Sequence, residues 1–291
     1  MLTPFESSDL SRHPYFKKRI VLTTKHEKLK QIKPAFDQYL GCEIFEANLD
    51  TDQLGTFAGE IERTAPPRET AISKARLGMN AMGLKIGIAS EGSINPDPVV
   101  PFLNSNIEHL VLVDDENDIV ISQVHRSFEI TVATVTISPG QDLTEFLQRA
   151  GFPSHGLIVR PNTEKKSNCI KGITDQETLM EAISISSRIS GDGLVVIESD
   201  LRAHFSPSRQ KNIAEAARLL AIRTSQLCPQ CQMPGWGRIG YEKGLKCSTC
   251  KLENPDAIRQ GKLGCVKCDH TQLGQVIATE LDPANCQFCN P

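Results

Sequence analysis

The stretch ETAISKARLGMNAMGLKIGIASEGS, residues 69–93, decides the fold class. Its first part is made of good helix formers, with Pro66 and Pro67 suited to a first turn, Thr64 to an N-cap and Gly83 to a C-terminal stop. The following LKIGIAS (84–90) is a short apolar run of the kind that forms a strand buried on both faces. Helix then buried strand is the unit of an α/β protein, and the pattern repeats on both sides.

Upstream, RIVLTT (19–24) reads as an apolar strand. Leu29, Ile32, Phe36 and Leu40 follow with helical spacing, Gly41 is a stop, and Pro34 is expected to weaken or kink that helix. Cys42–Ala47 reads as a second strand and GTFAGEIERT (55–64) as a loop. Downstream, HLVLVDD and IVISQV flank a DENDI turn, which predicts a hairpin and hence a mixed sheet, with FEITVATVTI (128–137) as further strand. QDLTEFLQRAG is helical, GLIVRPN (156–162) is strand, and DQETLMEAISISSRI is a helix capped by Asp175. GLVVIESD (193–200) is strand, and SPSRQKNIAEAARLLAIRTSQL is a long last helix. The expected fold is α/β, a mixed sheet with flanking helices over residues 1–227.

Composition agrees with an ordinary globular chain. Of 291 residues, 39% are hydrophobic and 23% charged, with a formal net charge of −3. That balance argues against a clamp on nucleic acid formed by the whole surface, because such affinity comes from cations neutralising phosphates. No apolar run approaches the roughly 20 residues that span a bilayer, and MLTPFESSDLSRHPYFKKR lacks the apolar core of a secretory leader. A cytoplasmic location without membrane contact is the expectation.

The cysteines mark a second unit. Eight of ten fall within 228–291 as four Cys-x-x-Cys pairs: Cys228/Cys231, Cys247/Cys250, Cys265/Cys268 and Cys286/Cys289. One such pair offers two thiolates from a tight turn, and two pairs complete the tetrahedron that zinc prefers. Two structural zinc ions in a double zinc ribbon are therefore expected. Disulfides suit a reducing compartment poorly, and an iron–sulfur centre uses a tighter, asymmetric run. Sequential pairing leaves gaps of 15 and 17 residues, close to common ribbon spacing, and interleaved or nested pairings stay open. This region carries seven cations and six anions, so a structural or protein-binding role is weighed against nucleic-acid recognition through Trp236, Tyr241 and Phe288.

In α/β folds ligands sit beyond the C-terminal ends of strands. Thr23 and Thr24 end the first strand, and Lys25 and Lys28 open the next helix, an arrangement suited to phosphate. Glu69 near a helix start and Glu91 at a strand end are placed to share one Mg²⁺, with Lys74 one and a half turns along the helix. The competing reading is a surface pair and a loop acid. His26 reads as a solvated helix residue, Cys42 and Cys169 as inert thiols, and Asp200, Arg202 and His204 as reserve candidates. No G-x-S-x-G elbow occurs.

The order of a Thr-rich strand end, Lys28, Glu69-Thr-Ala-Ile-Ser-Lys74-Ala-Arg76 and Ile88-Ala-Ser-Glu91-Gly-Ser resembles the inosine/xanthosine triphosphate pyrophosphatase superfamily, which includes the Maf-like proteins. The resemblance covers about residues 20–95 and implies a Mg²⁺-dependent nucleotide hydrolase that releases pyrophosphate. It assigns phosphate binding to Thr24, Lys25 and Lys28, and catalysis to Glu69, Glu91 and Lys74. The family's loop asparagine is replaced, with Lys25 nearest its place, and Ser90 stands where a first aspartate is usual. Those departures feed a second reading, a non-enzymatic zinc-ribbon module with a degenerate α/β domain that binds protein or nucleic acid. The whole chain also resembles an uncharacterised bacterial family with the same four-pair cysteine region, which implies that the two parts belong together.

Overall fold

The computed structural model describes residues 7–25, 27–51, 65–163 and 168–291. His26, Thr64 and the 55–64 segment lie outside the described residues. The first sheet is built from β1 (Arg19–Thr24), β2 (Glu43–Asn48), β3 (Ile86–Pro96), β4 (Asn104–Asp114) and β5 (Ile119–Ser127), in the order β2-β1-β3-β4-β5. β1 runs parallel to both β2 and β3, while β3, β4 and β5 form an antiparallel meander. The sheet is mixed, as the hairpin signal required.

Side-chain alternation along the strands sorts the two faces. Ile20, Leu22, Ile88 and Leu110 pack against α1 (Leu29–Leu40) and α5 (Pro207–Ser225). Val21, Ala89 and Val111 pack against α2 (Pro67–Met82) on the other side. The result is a three-layer sandwich. Gly41 and Gly83 end α1 and α2 in left-handed conformation, with φ of 59° and 64°, a region that costs glycine nothing. Pro34 lies inside α1, which nevertheless continues to Leu40.

Between β5 and α5 the chain makes a separate lobe. β6 (Thr134–Ile137), α3 (Thr144–Ala150), β7 (Leu157–Pro161), β8 (Ile170–Ile173), α4 (Gln176–Ile189) and β9 (Val195–Ser199) give a four-stranded antiparallel sheet ordered β6-β9-β7-β8. Its own core includes Phe146, Leu157, Leu179 and Ile197. The strands of residues 1–227 thus divide between two sheets rather than one. Only Thr134–Ile137 of the 128–137 run is strand, and β8 had no counterpart in the sequence reading. Asp175 caps α4 by accepting from the Thr178 N–H at 2.8 Å, as expected.

β10 (Gly237–Lys246), β11 (Glu253–Gly264) and β12 (Thr271–Val276) form a three-stranded antiparallel ribbon in the order β10-β11-β12. It touches the sandwich through Val266, which packs on the α1/α5-side core. Gly235 adds to this contact, because a Cβ there would meet Ile121 at 2.8 Å. No helix of the described residues is long and apolar enough to cross a membrane.

Candidate functional site

β1 is flanked by β2 on one side and β3 on the other, and the helices that follow β1 and β2 lie on opposite faces. The chain therefore reverses direction across the sheet between β1 and β3, the switch point where open α/β sheets leave a crevice. Charged side chains converge there. Lys28 at the mouth of α1 is buried, and its Nζ donates to Ser90 Oγ on β3 at 2.8 Å. Lys74 Nζ on α2 donates to the buried Glu91 at 2.6 Å. On β4, buried Glu108 accepts from Arg209 Nε of α5 at 2.7 Å and from Asn106 Nδ2 at 3.0 Å. Arg209 Nη1 also donates to the Leu201 carbonyl at 2.8 Å.

Glu108 and Arg209 thus pair on the α1/α5 face of the sheet, Lys74 and Glu91 pair on the α2 face, and Lys28 at the strand end lies within electrostatic reach of both pairs. Burial, and then the nearby Arg209 guanidinium, push the Lys28 ammonium down to about 8. Burial alone would raise the Glu108 carboxyl, but Arg209 and Lys28 hold it below the usual carboxylate range. Gly92 is required between them: a Cβ there would sit 2.4 Å from Arg209 Nη2 and 2.5 Å from Glu108 Oε1. Among the described residues, Glu108 Oε2 and Asn106 Oδ1 are buried acceptors without a hydrogen-bond partner. Buried acceptors are rarely left so, and a ligand or water with donors is the usual resolution.

The structure brings together Lys28, Lys74, Glu91 and the buried end of β1 at Thr24, but not every residue singled out from sequence. Lys25 pairs with Asp50 at the surface, 2.9 Å away. Glu69 is exposed and pairs with Arg68 at 2.8 Å. Five residues at about 100° each put Glu69 roughly 140° around the helix from Lys74. The face that carries Lys74 towards Glu91 therefore turns Glu69 to solvent. Asp200 is buried and serves local structure, accepting from the Gly172 N–H at 3.0 Å and from Arg202 at 2.6 Å. Burial pushes the Cys42 thiol up to about 12, which fits an inert residue.

Sequence reasoning passed over Glu108 and Arg209, although a signal existed for both. Glu108 is in phase with Leu110 and Leu112, so an acid occupies an inward position of an apolar strand. Arg209 is in phase with Ile213, Ala216 and Leu220 on the inward face of α5. A charge on a buried stripe needs a partner, and each of these is the other's.

The second site is metal-type. Cys228, Cys231, Cys265 and Cys268 form one group, and Cys247, Cys250, Cys286 and Cys289 another, each with sulfurs within 4.8 Å of one another. Sulfur separations are 3.8 Å for Cys228–Cys268, 3.6 Å for Cys231–Cys265, 3.8 Å for Cys247–Cys289 and 3.7 Å for Cys250–Cys286. A tetrahedron with Zn–S bonds of about 2.3 Å has edges of about 3.8 Å. These distances fit zinc and are far too long for a disulfide bond of about 2.05 Å. Backbone N–H groups of Lys267 and Cys268 donate to Cys265 Sγ at 3.3 and 3.4 Å, which favours the thiolate a metal needs. Both groups are able to hold zinc. Among the described residues they are the only clusters of three or more such ligands that close together.

Pairing is interleaved, first knuckle with third and second with fourth, not sequential. The reason is topological. β10 carries the chain from the first knuckle to the second, β11 returns to the third, and β12 runs out again towards the fourth. Odd knuckles therefore meet at one end of the ribbon and even knuckles at the other.

Fold and sites together define an α/β protein that carries a C-terminal ribbon with two four-cysteine groups. The chain belongs to the DUF6671 family, described as a domain of unknown function, whose profile matches residues 74–291. That span takes in Lys74, Glu91, Glu108, Arg209 and all eight ribbon cysteines, while Thr24, Lys28 and Glu69 precede it. No curated protein matches the chain.

Proposed function

We propose that the chain binds a phosphate-bearing small molecule, with a nucleoside triphosphate as the first candidate, at the ends of β1 and β3. In this reading the ribbon holds two structural zinc ions. The observation that carries the first part is the excess of buried positive charge at the switch point, Lys28 and Arg209 against Glu108, beside the half-buried Lys74 that pairs with Glu91. Buried charges that do not cancel within a crevice favour an anion from solution. Glu108 Oε2 and Asn106 Oδ1 add acceptors for hydroxyl or amine donors on the same ligand.

A hydrolytic version adds Mg²⁺. Glu91 is then the protein carboxylate nearest the phosphates, and one carboxylate plus the ligand's own oxygens is an ordinary Mg²⁺ set. Attack by water on the triphosphate would release pyrophosphate, with Lys28 and Lys74 neutralising charge that develops on the phosphoryl oxygens. Glu69, on the solvent face of α2, has no part in this version.

The test is calorimetric titration of canonical and deaminated nucleoside triphosphates with and without Mg²⁺, together with pyrophosphate detection. Binding that Lys28→Met weakens, and turnover that Glu91→Gln lowers by roughly 10² or more, is expected. Absence of binding at millimolar nucleotide sinks the proposal. A second reading, an interaction module, draws on the apolar side chains that the ribbon exposes, among them Ile239, Leu252, Leu273 and Phe288. Its nucleic-acid form predicts retarded migration of a single-stranded oligonucleotide that vanishes steeply with salt. No retardation at low salt removes that form.

A further inference from the structure

A cavity lies away from the strand-end cluster and shares no residue with it. It is a cleft of about 720 Å³ between the ribbon and the flank formed by β5 and α5. That volume is within the range of about 300–1,000 Å³ typical of sites for small organic ligands. One wall is apolar, with Val124, Leu219 and Ile222. The opposite wall is the ribbon face, with Trp236, Tyr241 and Val276. Glycines 237 and 261 leave room on that face for the two arginine side chains, because a Cβ at Gly237 would meet Arg223 Nε at 3.3 Å and one at Gly261 would meet Arg238 Cδ at 3.8 Å.

The charge in the cleft is one-sided. Arg223 and Arg238 line it, and among the described residues no carboxylate does. Arg223 is half-buried, donating through Nε to the Gly235 carbonyl at 3.3 Å and through Nη1 to the Ser122 carbonyl at 3.1 Å. Among the described residues its Nη2 has no partner and the guanidinium has no acid beside it. Desolvation lowers its pKa, as expected for a cation withdrawn from water without a counter-ion. Arg238 stacks on Tyr241, 4.8 Å from the ring centroid, which fixes a cation–π pair at the rim. A guanidinium held in place by backbone carbonyls with a donor to spare, as at Arg223, is suited to a carboxylate or phosphate.

We propose that this cleft binds a small organic oxyanion, a carboxylate or phosphate carried on an aromatic or bulky apolar body. Arg223 takes the oxyanion, Arg238 adds charge at the rim, and the body lies between Val124 and Ile222 on one side and Tyr241 and Val276 on the other. The apolar walls favour the body of such a ligand and the two guanidinium groups its charged end.

The experiment uses the full chain with its zinc complement verified. Anilinonaphthalene sulfonate is titrated by fluorescence, with neutral N-phenylnaphthylamine as a probe of the same body without the charge. One saturable site is expected, with the sulfonate bound roughly tenfold or more tighter than the neutral probe, the scale of one charge-assisted hydrogen-bonded pair. Arg223→Gln should lose that advantage and leave the neutral probe unchanged. Ile277, which lines the same cleft and is 63% exposed, offers a variant that does not touch the core. Ile277→Glu should weaken the sulfonate by a similar factor, and it decides the matter if Arg223→Gln fails to fold. Competition by naphthoate and by naphthyl phosphate distinguishes the carboxylate from the phosphate source. Equal affinity for charged and neutral probes, or sulfonate binding unmoved in both variants, overturns the proposal. So does displacement by an oligothymidylate but by neither small competitor. Nucleotide binding at the β1/β3 end enters none of these readouts, so the two sites stand or fall separately.

Discussion

Arg209 Nε lies 2.7 Å from Glu108 Oε1, and both side chains are almost wholly withdrawn from solvent. The bond joins the first turn of the last long helix to the middle strand of the β3–β5 meander, so it closes the sandwich around the inserted lobe. A buried pair of this kind adds modest net stability, but loss of one partner strands the other. Arg209→Leu is therefore expected to cost about 3–5 kcal/mol in chemical denaturation, and Glu108→Leu a similar amount. The double variant should recover much of the loss. Strict additivity of the two single costs would refute the pairing argument.

Gly92 tests the same contact from a third direction. Alanine there brings a methyl group to 2.4 Å from Arg209 Nη2, so the pair must part. Gly92→Ala should destabilise by about as much as loss of one partner, on the order of 3 kcal/mol. Gly140 is the control, although its φ of 87° adds some strain, because a Cβ there meets nothing within 4 Å. Equal, small effects at both positions would mean that the site repacks without cost.

His13 predicts an acid-side instability. The Tyr15 N–H donates to its Nδ1 at 3.1 Å, so Nε2 carries the hydrogen and donates to the Thr224 carbonyl at 3.2 Å. Burial, only partly offset by that carbonyl, pushes the imidazolium down to about 4 from an ordinary 6.5. Between those values the unfolded chain binds more protons, so stability rises with pH from 4 to 6.5 and is lost as pH falls through that window. The loss is on the order of 3 kcal/mol for a shift of this size. Denaturation curves of wild type and His13→Gln should diverge below pH 6.5 and run parallel above it. Parallel curves throughout would mean that His13 titrates normally.

Lys28 predicts the pH dependence of the strand-end site. Facing it are the cations Arg209 and Lys74 and the carboxylates Glu108 and Glu91. With its ammonium pushed down to about 8, Lys28 is charged at neutral pH and sheds its proton above that value. Anion affinity should therefore fall as pH rises through 8, by up to roughly tenfold per unit while one proton is linked. Lys28→Met should bind more weakly at pH 7 and lack this fall. A wild-type affinity that stays flat to pH 10 is the contrary result.

Much of this architecture was legible in local signals, because the local signals were strong. Gly41 and Gly83 stop helices where left-handed backbone is needed, Asp175 caps α4, and the turn after Asp114 makes the expected hairpin. What sequence did not show was long-range. Nothing local says that Pro207–Ser225 leaves the inserted lobe and packs beside α1, or that two separate sheets, one mixed and one antiparallel, share residues 1–227. The candidate site divides in the same way. Lys28, Lys74 and Glu91 were visible at strand and helix ends, whereas Glu108 and Arg209 required a charge to be recognised as a misfit on an apolar stripe. Glu69 lies apart for a geometric reason, since the five residues that separate it from Lys74 turn it about 140° around α2 to the solvent side.

The cysteine pairing makes the last prediction, and counting zinc decides it. Spacing alone favoured neighbours in sequence, because gaps of 15 and 17 residues resemble common ribbons. The structure uses those gaps as strands instead. A strand of ten residues such as β10 spans about 33 Å, so Cys231 and Cys250 stand at opposite ends of it and cannot share a metal. Cys231 and Cys265, 3.6 Å apart, can. Wild type should contain two equivalents of zinc. Cys231→Ser with Cys265→Ser damages one site twice and should leave one equivalent. Cys231→Ser with Cys250→Ser damages both sites once and should leave none held tightly. Sequential pairing predicts the reverse order for the two double variants, with one equivalent in the second and none in the first. Zinc release followed by a chromogenic chelator, normalised to protein by amino-acid analysis, separates the outcomes without any knowledge of the ligand. It also reports on folding, since a closed four-cysteine site contributes its binding energy directly to the ribbon. The variant that keeps one metal should keep the distal end, around Cys247 and Cys286, resistant to protease while the end packed on Ile121 is cut.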